Sequence, residues 1–321
     1  MMKNKLTIPA ILFFVLMIAG CGGQDNPQED DTPTQGKIKV CVDETFAHVI
    51  SSQAETFEKI YTEAKLNVSY KSEAQAVNDL LSDSVRLIII PRKLTSEERS
   101  YFDKQKIIPT ERRVCIDAIA VIVNNDNRDT LMTMQNFRDI MSGKVNSWNQ
   151  LDPKSGSSKI QIVFDNPNSS TVRYVRDKIN GQLSKSSYAV NNNSAVVDYV
   201  SKNKNAVGVI GVNWISDKDD SLTHRFLRKI KVVGLSADSV KNPSIDDYYQ
   251  PYQAYIAQKT YPLIREVYMI TGEARAGLAS GFIAFVASER GQRIFLKAGL
   301  VPATAPIRLV EINKGNFKIT K

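Results

Sequence analysis

The sequence has few of the residues from which metal centres and catalytic sites are built. Its only histidines are His48 and His224, and it has three cysteines. None of these five residues stands at a spacing typical of metal ligands. No nucleophile-elbow motif and no histidine-containing catalytic motif occurs. We therefore expect no metal, no cofactor and no enzymatic activity, and an exported hydrolase is the least favoured alternative.

Long basic runs and basic stretches interleaved with aromatic residues are also lacking, so nucleic acid is not an expected partner. The net charge is nevertheless +8. Leaving out the two lysines and four acidic residues of positions 1–36 raises it to about +10. This excess is compatible with an anionic ligand, although surface lysines alone produce such values in many proteins.

Apart from one N-terminal segment, the chain has no apolar run that approaches the length of a membrane span. That segment, Leu6–Ile18, is short for a span and follows Lys3 and Lys5. It leads into Ile18-Ala-Gly-Cys21, which resembles the lipobox of bacterial lipoproteins. Residues 1–20 are therefore predicted to be a lipoprotein signal peptide, with Cys21 as the lipidated mature N-terminus. An uncleaved anchor helix is the alternative; either way the protein is expected to be membrane-anchored and to face the periplasm or the cell exterior.

Residues 21–36 contain no large apolar side chain and are rich in acidic residues, proline and glycine. Such a composition cannot bury enough apolar surface to fold, so this stretch is predicted to be a disordered tether. After it, only Cys41 and Cys115 remain. An exported compartment permits a disulfide between them, but both lie in apolar, strand-like runs where buried free thiols are common. The sequence leaves both possibilities open.

Strand-like and helix-like segments alternate from Ile38 onward, which is typical of a parallel sheet covered by helices. Arg86–Ile90 is a third predicted strand and is continuously apolar after Arg86, as a fully buried parallel strand is. Thr95–Glu98 has the form of a capping box, and Thr133 and Gly143 bound another predicted helix. Two longer β-rich runs cover Val114–Asn124 and Ile264–Thr271. Residues 217–220 and 242–252 are predicted to be surface loops.

One strand–turn–helix segment is a candidate ligand site. A predicted strand ends at Phe164, polar turn residues follow, and Ser169, Ser170 and Thr171 stand immediately before a helical pattern. The N–H groups of a first helical turn and the positive end of its dipole suit an oxyanion. Alternatively, Ser169 or Ser170 merely caps the helix.

Several segments, in this order, resemble the substrate-binding proteins of bacterial phosphate ABC importers. They are Cys41–Phe46, Tyr70–Glu73, Ile90–Thr95, Asp117–Asn124, Asn136–Trp148, Ser169–Thr171, Ala206–Gly211, Tyr261–Tyr268 and Phe285–Ile294. Each match is modest, but the shared order extends over nearly the whole mature chain. The resemblance implies a two-lobed α/β fold of the type II periplasmic-binding class, in which each lobe is a mostly parallel sheet flanked by helices. It implies lobe I at residues 37–118 plus 262–321 and lobe II at residues 119–261, with the two long β runs as crossovers.

The resemblance further implies capture of phosphate or a related oxyanion between the lobes by a monomeric receptor, which delivers it to an ABC importer permease. In the family, helix-start hydroxyls and N–H groups hold the anion. The matching positions are Thr45, Phe46, Ser72, Ser169, Ser170 and Thr171. Arg92 follows the third strand and could supply positive charge through its guanidinium, or could instead form a structural ion pair.

The chain also departs from the family pattern. Ser170 stands where the family often has glycine, and Asp165 and Asn166 precede the motif where an arginine is common. A carboxylate acceptor for the phosphate proton has no certain counterpart; Asp43, Glu44 and Glu73 are the nearest candidates. The sequence therefore predicts phosphate binding with weaker rejection of sulfate than in the family. A binding-fold lipoprotein with a degraded anion site, serving sensing or adhesion, is the main alternative.

Overall fold

The computed structural model describes residues 31–216 and 221–304. The predicted signal peptide, Cys21 and the loop at residues 217–220 lie outside the described residues. Among those described, no helix has the length and apolar character to cross a membrane, and no group of histidine, cysteine, aspartate and glutamate is arranged to hold a metal ion.

Strands and helices alternate through most of the chain. The strands are β1 (Gly36–Asp43), β2 (Ala64–Lys71), β3 (Leu87–Ile90), β4 (Thr110–Asn124), β5 (Leu131–Thr133), β6 (Gln161–Phe164), β7 (Ser187–Ala189), β8 (Ala206–Gly211), β9 (Ile230–Val232), β10 (Gly234–Ser236), β11 (Ile264–Thr271) and β12 (Val301–Pro302). The helices are α1 (Ala47–Ile60), α2 (Glu73–Leu81), α3 (Ser96–Lys104), α4 (Met134–Ser142), α5 (Ser170–Ile179), α6 (Asn193–Lys202), α7 (Ser221–Leu227), α8 (Gln253–Ala257), α9 (Leu278–Ala287) and α10 (Glu289–Lys297).

The first half of the main sheet has the predicted parallel arrangement. β1 pairs in parallel with β2 on one side and with β3 on the other, and α1 and α2 connect these strands. β3 is buried along its whole length, as its uninterrupted apolar sequence predicts. Because the three strands run in one direction, β1 and β3 end at the same edge of the sheet.

The long strand β4 joins this half to the second one. Its residues 110–118 pair with β11, and residues 119–123 pair with β8. Beyond β8 the second half continues in parallel through β6 to β7. The predicted mixed α/β fold with mostly parallel sheets and flanking helices is thus confirmed, and the two long β runs lie at the centre of the sheet order.

Local signals in the sequence explain where several helices begin and end. Thr95 and Glu98 form the predicted capping box of α3. Thr133 caps α4, which ends at Gly143 with a φ of +81°. A left-handed residue at this position is most readily a glycine, because it has no Cβ to clash.

The predicted tether is corrected at its C-terminal end. Residues 31–36 are packed against the domain, and the Asp31 carboxylate accepts a hydrogen bond of 2.7 Å from the backbone N–H of Leu278 at the start of α9. A carboxylate at this position satisfies an otherwise unpaired helix donor. Composition alone did not reveal this cap because its partner lies far along the chain.

The two cysteines left open by the sequence are free thiols buried in β1 and β4. Burial raises the pKa of Cys41 to about 11, and it raises the pKa of Cys115 as well. Both therefore serve as small apolar core residues.

Candidate functional site

The candidate site lies where β1 and β6, one strand from each half of the sheet, lead into helices. β1 ends at Asp43, whose carboxylate accepts the N–H of Thr45 at 2.9 Å and so caps the short 3-10 turn at Glu44–Phe46. β6 ends at Phe164, and α5 begins at Ser170 after a five-residue turn. Asp43, Thr45 and Phe46 are all fully buried. Both junctions thus supply polar groups to the interior.

The three consecutive hydroxyls have three different roles. Ser169 is the N-cap of α5, because its Oγ accepts the N–H of Val172 at 3.2 Å and donates to Asp165 at 2.6 Å. Ser170 Oγ accepts a hydrogen bond of 2.9 Å from Arg265. Thr171 Oγ1 is buried and has no hydrogen-bond partner among the described residues. The capping interpretation therefore applies to Ser169, while Ser170 and Thr171 are free of that role.

Arg265 on β11 is the residue that sequence reasoning missed. Its side chain is 2% exposed, and Nε donates to Asp117 of β4 at 2.7 Å. The guanidinium carbon lies 5.3 Å from the centroid of the Phe46 ring, within the range of a cation–π contact. Nη2 is buried without a partner among the described residues. The available signal was Asp117, which stands alone among the apolar residues of β4 from Val114 to Val123; Arg265 lies beside Glu266 in β11 and has no comparable local signal.

Several buried polar atoms around Arg265 are unpaired within the described part of the chain. They are Asp43 Oδ2, Thr45 Oγ1, Asp117 Oδ1, Thr171 Oγ1, Asn213 Oδ1 and Arg265 Nη2. Buried polar groups in folded proteins are normally hydrogen-bonded, and leaving one unpaired costs about 1–3 kcal/mol. A group of such atoms from both halves of the sheet is therefore typical of a site that awaits a polar ligand.

Residues at and after the end of β8, in the second half of the sheet, contact the turn that follows β1. Asn213 donates to the backbone oxygen of Thr45 at 2.8 Å, and the indole N–H of Trp214 donates to the same oxygen at 3.0 Å. A Cβ on Gly211 would lie 2.4 Å from Thr45 Cγ2. The glycine at the end of β8 thus permits the close approach of this strand to Thr45.

Carboxylates outnumber cations in the site. Asp43, Asp117 and Asp165 are fully buried, and among the described residues Arg265 is the cation that acts on all three. Burial raises the pKa of Asp43 and Asp117, and Arg265 opposes the shift in each case. Burial also raises the pKa of Asp165 to about 6 and that of the half-buried Glu44 to about 7. The site therefore holds carboxyl groups that resist ionisation.

The stability of the ligand-free domain is accordingly expected to fall as the pH rises from about 4 to about 7. The pKa of Asp165 is about 6 in the folded state, against an ordinary value of 3.8, so the native state binds this proton more tightly than the unfolded chain. The free energy of unfolding then decreases between these two pKa values and levels off above the higher one. At about 1.4 kcal/mol per unit, Asp165 contributes on the order of 3 kcal/mol.

Glu44 acts in the same direction up to about neutral pH. Urea denaturation across this range measures the effect. A free energy of unfolding that rises steadily from the acidic to the neutral end would contradict the prediction.

Ser72 and Arg92, two of the predicted ligand residues, have partners of their own. Ser72 caps α2, and its Oγ donates to Gln75 at 3.1 Å. Both Nη atoms of Arg92 donate to Glu98, and Nε donates to Glu73 at 2.7 Å. The ion-pair alternative therefore describes Arg92 in this structure. It lines a cleft of about 290 Å³ together with Glu73, Glu98, Ser169, Arg173 and Arg176.

Glu73 also joins the two halves of the sheet. Its side chain is 4% exposed, and Oε1 accepts from Arg173 of α5 at 2.6 Å as well as from Arg92. A second bond of 3.1 Å runs from Arg173 Nη2 to Oε2. This buried carboxylate thus fastens the start of α2 to the first turns of α5, directly beside the Ser169–Thr171 segment.

Comparison with known proteins shows which proteins this chain resembles. The family model described as the PBP superfamily domain matches residues 27–290. The phosphate-binding protein PstS of Staphylococcus epidermidis is 22% identical over 296 residues, which cover 91% of this chain and 87% of the relative. PstS of Staphylococcus saprophyticus is 24% identical over 284 residues, covering 86% and 83%. An ABC-type phosphate transport receptor from Vibrio cholerae superposes with a TM-score of 0.63 at 19% identity, covering 83% of this chain and all of that one.

Proposed function

The chain belongs to the PBP superfamily, and from this we propose that it is an extracytoplasmic solute-binding protein that captures phosphate or a related oxyanion for an ABC importer. The observation that carries the proposal is the group of unpaired buried polar atoms around Arg265. The family's relatives named above are phosphate-binding proteins. The permease of the importer would be its partner, and no catalytic step is required.

Arg265 is the proposed anchor of the anion. Its free Nη2, together with the hydroxyls of Thr45 and Thr171, offers donors from β11 and from the two strand–helix junctions. Hydrogen bonds from a guanidinium to an oxyanion are short and charge-assisted. The Arg265 guanidinium would therefore supply the positive charge that the sequence analysis assigned to Arg92. Ser170 positions the guanidinium through its 2.9 Å contact.

We further propose that the anion lies between two lobes with the boundaries predicted from sequence, at residues 118/119 and 261/262. The change of β4's pairing partner from β11 to β8 at Ala118–Ile119 supports the first boundary. Lobes joined through two crossover strands close on a ligand by a hinge motion. The ion pair between Glu73 and Arg173, which would connect the two proposed lobes, could hold a closed arrangement.

Replacing Glu73 with glutamine should shift the ligand-free protein toward an open form. The change removes the charge that holds Arg92 and Arg173 together across the lobes. Phosphate affinity is expected to weaken about tenfold, which corresponds to about 1.4 kcal/mol of closing energy. Small-angle scattering should give a larger radius of gyration without ligand and the wild-type value at saturating phosphate. Glu289→Gln, which breaks an exposed pair with Arg293, is the matched control; equal behaviour of the two variants would contradict the latch.

A membrane-anchored lipoprotein is the proposed form of the protein in the cell. The motif ending at Cys21 supports this, and Cys21→Ala should abolish lipid incorporation and leave an unprocessed precursor. Metabolic labelling with a fatty acid, combined with the mobility of the precursor on a gel, measures both effects. Normal processing and labelling of the variant would refute the lipoprotein assignment.

Calorimetric titration tests the central proposal. The described residues 31–216 and 221–304 belong to one compact unit, so a soluble form comprising residues 22–321 retains the packed Asp31. Titration of this form with phosphate in phosphate-free buffer should show binding to a single site. No heat with phosphate, arsenate or sulfate at any pH tested would refute the proposal. That result would favour the alternative function, a binding-fold protein with a degraded anion site. The excess of carboxylates over cations around Arg265 is the observation that favours this alternative.

A further inference from the structure

Taking the proposed oxyanion capture as its premise, we propose that Asp165 and Asn193 are positioning residues of the anion site. Their side chains form a buried bridge of hydrogen bonds, here called the Asp165–Asn193 bridge, between the start of α5 and the end of β8. Through these two contacts the bridge orients the donors that bind the oxyanion. Neither side chain contacts the anion itself.

The Asp165–Asn193 bridge joins three segments of the chain. Asp165 Oδ1, in the turn after β6, accepts the Ser169 hydroxyl at 2.6 Å and the N–H of Asn166 at 2.9 Å. Asp165 Oδ2 accepts Nδ2 of Asn193, at the start of α6, at 3.3 Å. Asn193 Oδ1 in turn accepts the N–H of Gly211, the last residue of β8, at 3.3 Å. Asp165 and Asn193 are both fully buried, so water does not compete for these bonds.

Each end of the bridge lies beside a junction that carries proposed ligand donors. Ser169 caps α5 and directly precedes Ser170 and Thr171. At the other end, a Cβ on Gly211 would lie 2.4 Å from Thr45 Cγ2, so the end of β8 cannot shift toward this residue without displacing it. The bridge therefore fixes the donors of the two junctions relative to each other, which is the arrangement that a small oxyanion requires.

The direction of each hydrogen bond in the bridge is set by the backbone. The N–H of Gly211 can only donate, so Asn193 must present its oxygen to it and its NH2 group to position 165. At the other end, the Ser169 hydroxyl already accepts the N–H of Val172 at 3.2 Å, so its proton is donated to position 165. Position 165 must therefore accept from both sides, and an aspartate does so with one oxygen for each.

Asp165 differs from the other buried aspartates of the site in its bonding. Asp43 and Asp117 each have one carboxylate oxygen without a partner among the described residues, whereas both oxygens of Asp165 accept hydrogen bonds from the protein. The charge of Asp165 repels a bound oxyanion, and charges in a buried space interact strongly. Removing this charge should strengthen binding, whereas breaking the bridge should weaken it, so the two effects are separable by experiment.

The test is a double-mutant cycle of Asp165→Asn and Asn193→Asp in the soluble form, residues 22–321, titrated calorimetrically with inorganic phosphate. A pH of about 8 keeps the wild-type carboxylate ionised, because the pKa of Asp165 is about 6. Asp165→Asn sets two NH2 groups against each other and Asn193→Asp sets two carboxylates against each other, so each should weaken phosphate binding about tenfold. The double variant reverses the polarity of the bridge while keeping its total charge and every hydrogen bond, so its Kd should lie within about threefold of the wild-type value.

An effect of charge alone would give a different pattern. Asp165→Asn would then strengthen phosphate binding, Asn193→Asp would weaken it, and the two effects would add in the double variant. That pattern, unchanged affinity in both single variants, or a folded double variant that does not recover affinity would overturn the inference and leave the proposed function standing. Absence of phosphate binding by the wild type at every pH would overturn both.

Asn124→Asp is the matched control for a merely structural effect. Asn124 is also a buried asparagine that ties α6 to a strand, because Nδ2 donates to the backbone oxygens of Val200 and Ser201 at 2.9 Å. It lies where β8 begins, at the opposite end of that strand from Gly211. A carboxylate at position 124 would face those oxygens, so the free energy of unfolding should fall while phosphate affinity stays unchanged.

Urea denaturation of both aspartate variants compares their losses of stability. If a single variant of the cycle fails to fold, the double variant still decides, since near wild-type affinity would support the bridge and lost affinity in a folded protein would overturn it. An equal loss of affinity in Asn124→Asp and Asn193→Asp would show that affinity follows overall stability, and would overturn the positioning role.

Discussion

Replacing Arg265 with methionine is expected to abolish oxyanion binding and to lower the free energy of unfolding by about 3–5 kcal/mol. Arg265 and Asp117 are 2% and 0% exposed. Removing the guanidinium leaves a buried carboxylate without its counter-charge, which is far more costly than losing an ion pair in water. Ser170 loses its donor at the same time.

The double variant Arg265→Met with Asp117→Leu separates the two effects. Replacing both partners of a buried ion pair with apolar residues of similar volume is often neutral or stabilising. Most of the lost stability should therefore return, while oxyanion binding should remain absent because the anchoring charge is gone. Urea denaturation and calorimetric titration of the same samples measure the two quantities independently.

Arg113→Met is the matched control, because Arg113 and Glu266 also join β4 to β11 but are about half exposed. An exposed pair contributes between about 0 and 1 kcal/mol, so this variant should lose little stability and no affinity. If phosphate bound to the double variant with wild-type affinity, Arg265 would not be the anchor of the site.

The order of strands and helices was predictable in those parts of the chain where the periodicity was unambiguous. β1 to β3 follow from short apolar runs separated by helical patterns. The segment from residue 181 to 205 was not assigned. Its helix α6 is rich in valine and packs Val196, Val197 and Val200 into the core, and β-branched residues give a weak helical signal.

The candidate site was predictable only in part, for a physical reason. Ser169–Thr171 could be identified from the local sequence, because a run of hydroxyl residues before a helical pattern is a recognisable helix start. Arg265 pairs with Asp117 across 148 positions of sequence, and no local pattern specifies such a contact. The family pattern led to Arg92 instead, and Arg92 binds Glu73 and Glu98.

The same distinction applies to selectivity. From sequence, no acceptor for a phosphate proton could be identified with certainty, which led to the prediction of weak sulfate rejection. Asp43 was among the three candidates, and only the structure reveals that one of its oxygens caps the turn at Thr45 while the other is buried and unpaired. This arrangement favours stronger rejection of sulfate than the sequence suggested, and comparing the phosphate and sulfate affinities of the soluble form by calorimetric titration decides between the two.

The hydroxyls of Ser170 and Thr171 should contribute more to phosphate affinity than to the stability of the fold. Changing them together, as Ser170→Ala with Thr171→Val, is expected to weaken phosphate binding by on the order of a hundredfold or more, since each hydrogen bond to a charged partner contributes roughly 1.5–3 kcal/mol. Thr171 Oγ1 has no partner among the described residues, so its removal costs the ligand-free protein little, whereas removal of the Ser170 hydroxyl leaves Arg265 Nη1 without its acceptor and should cost about 1–3 kcal/mol. Ser169, which caps α5, is left in place, so the helix should remain intact.

Thr133→Val is the control that reverses this pattern. Thr133 caps α4 through the N–H of Asn136 at 3.0 Å, so its replacement should lower the free energy of unfolding by about 1 kcal/mol and leave affinity unchanged. Titration and urea denaturation of both variants should therefore show that a modest loss of stability leaves affinity unchanged in Thr133→Val, whereas the double variant loses a hundredfold or more in affinity. Wild-type phosphate affinity in the double variant would show that the start of α5 does not hold the anion, and the unpaired hydroxyl of Thr171 would then require a structural explanation.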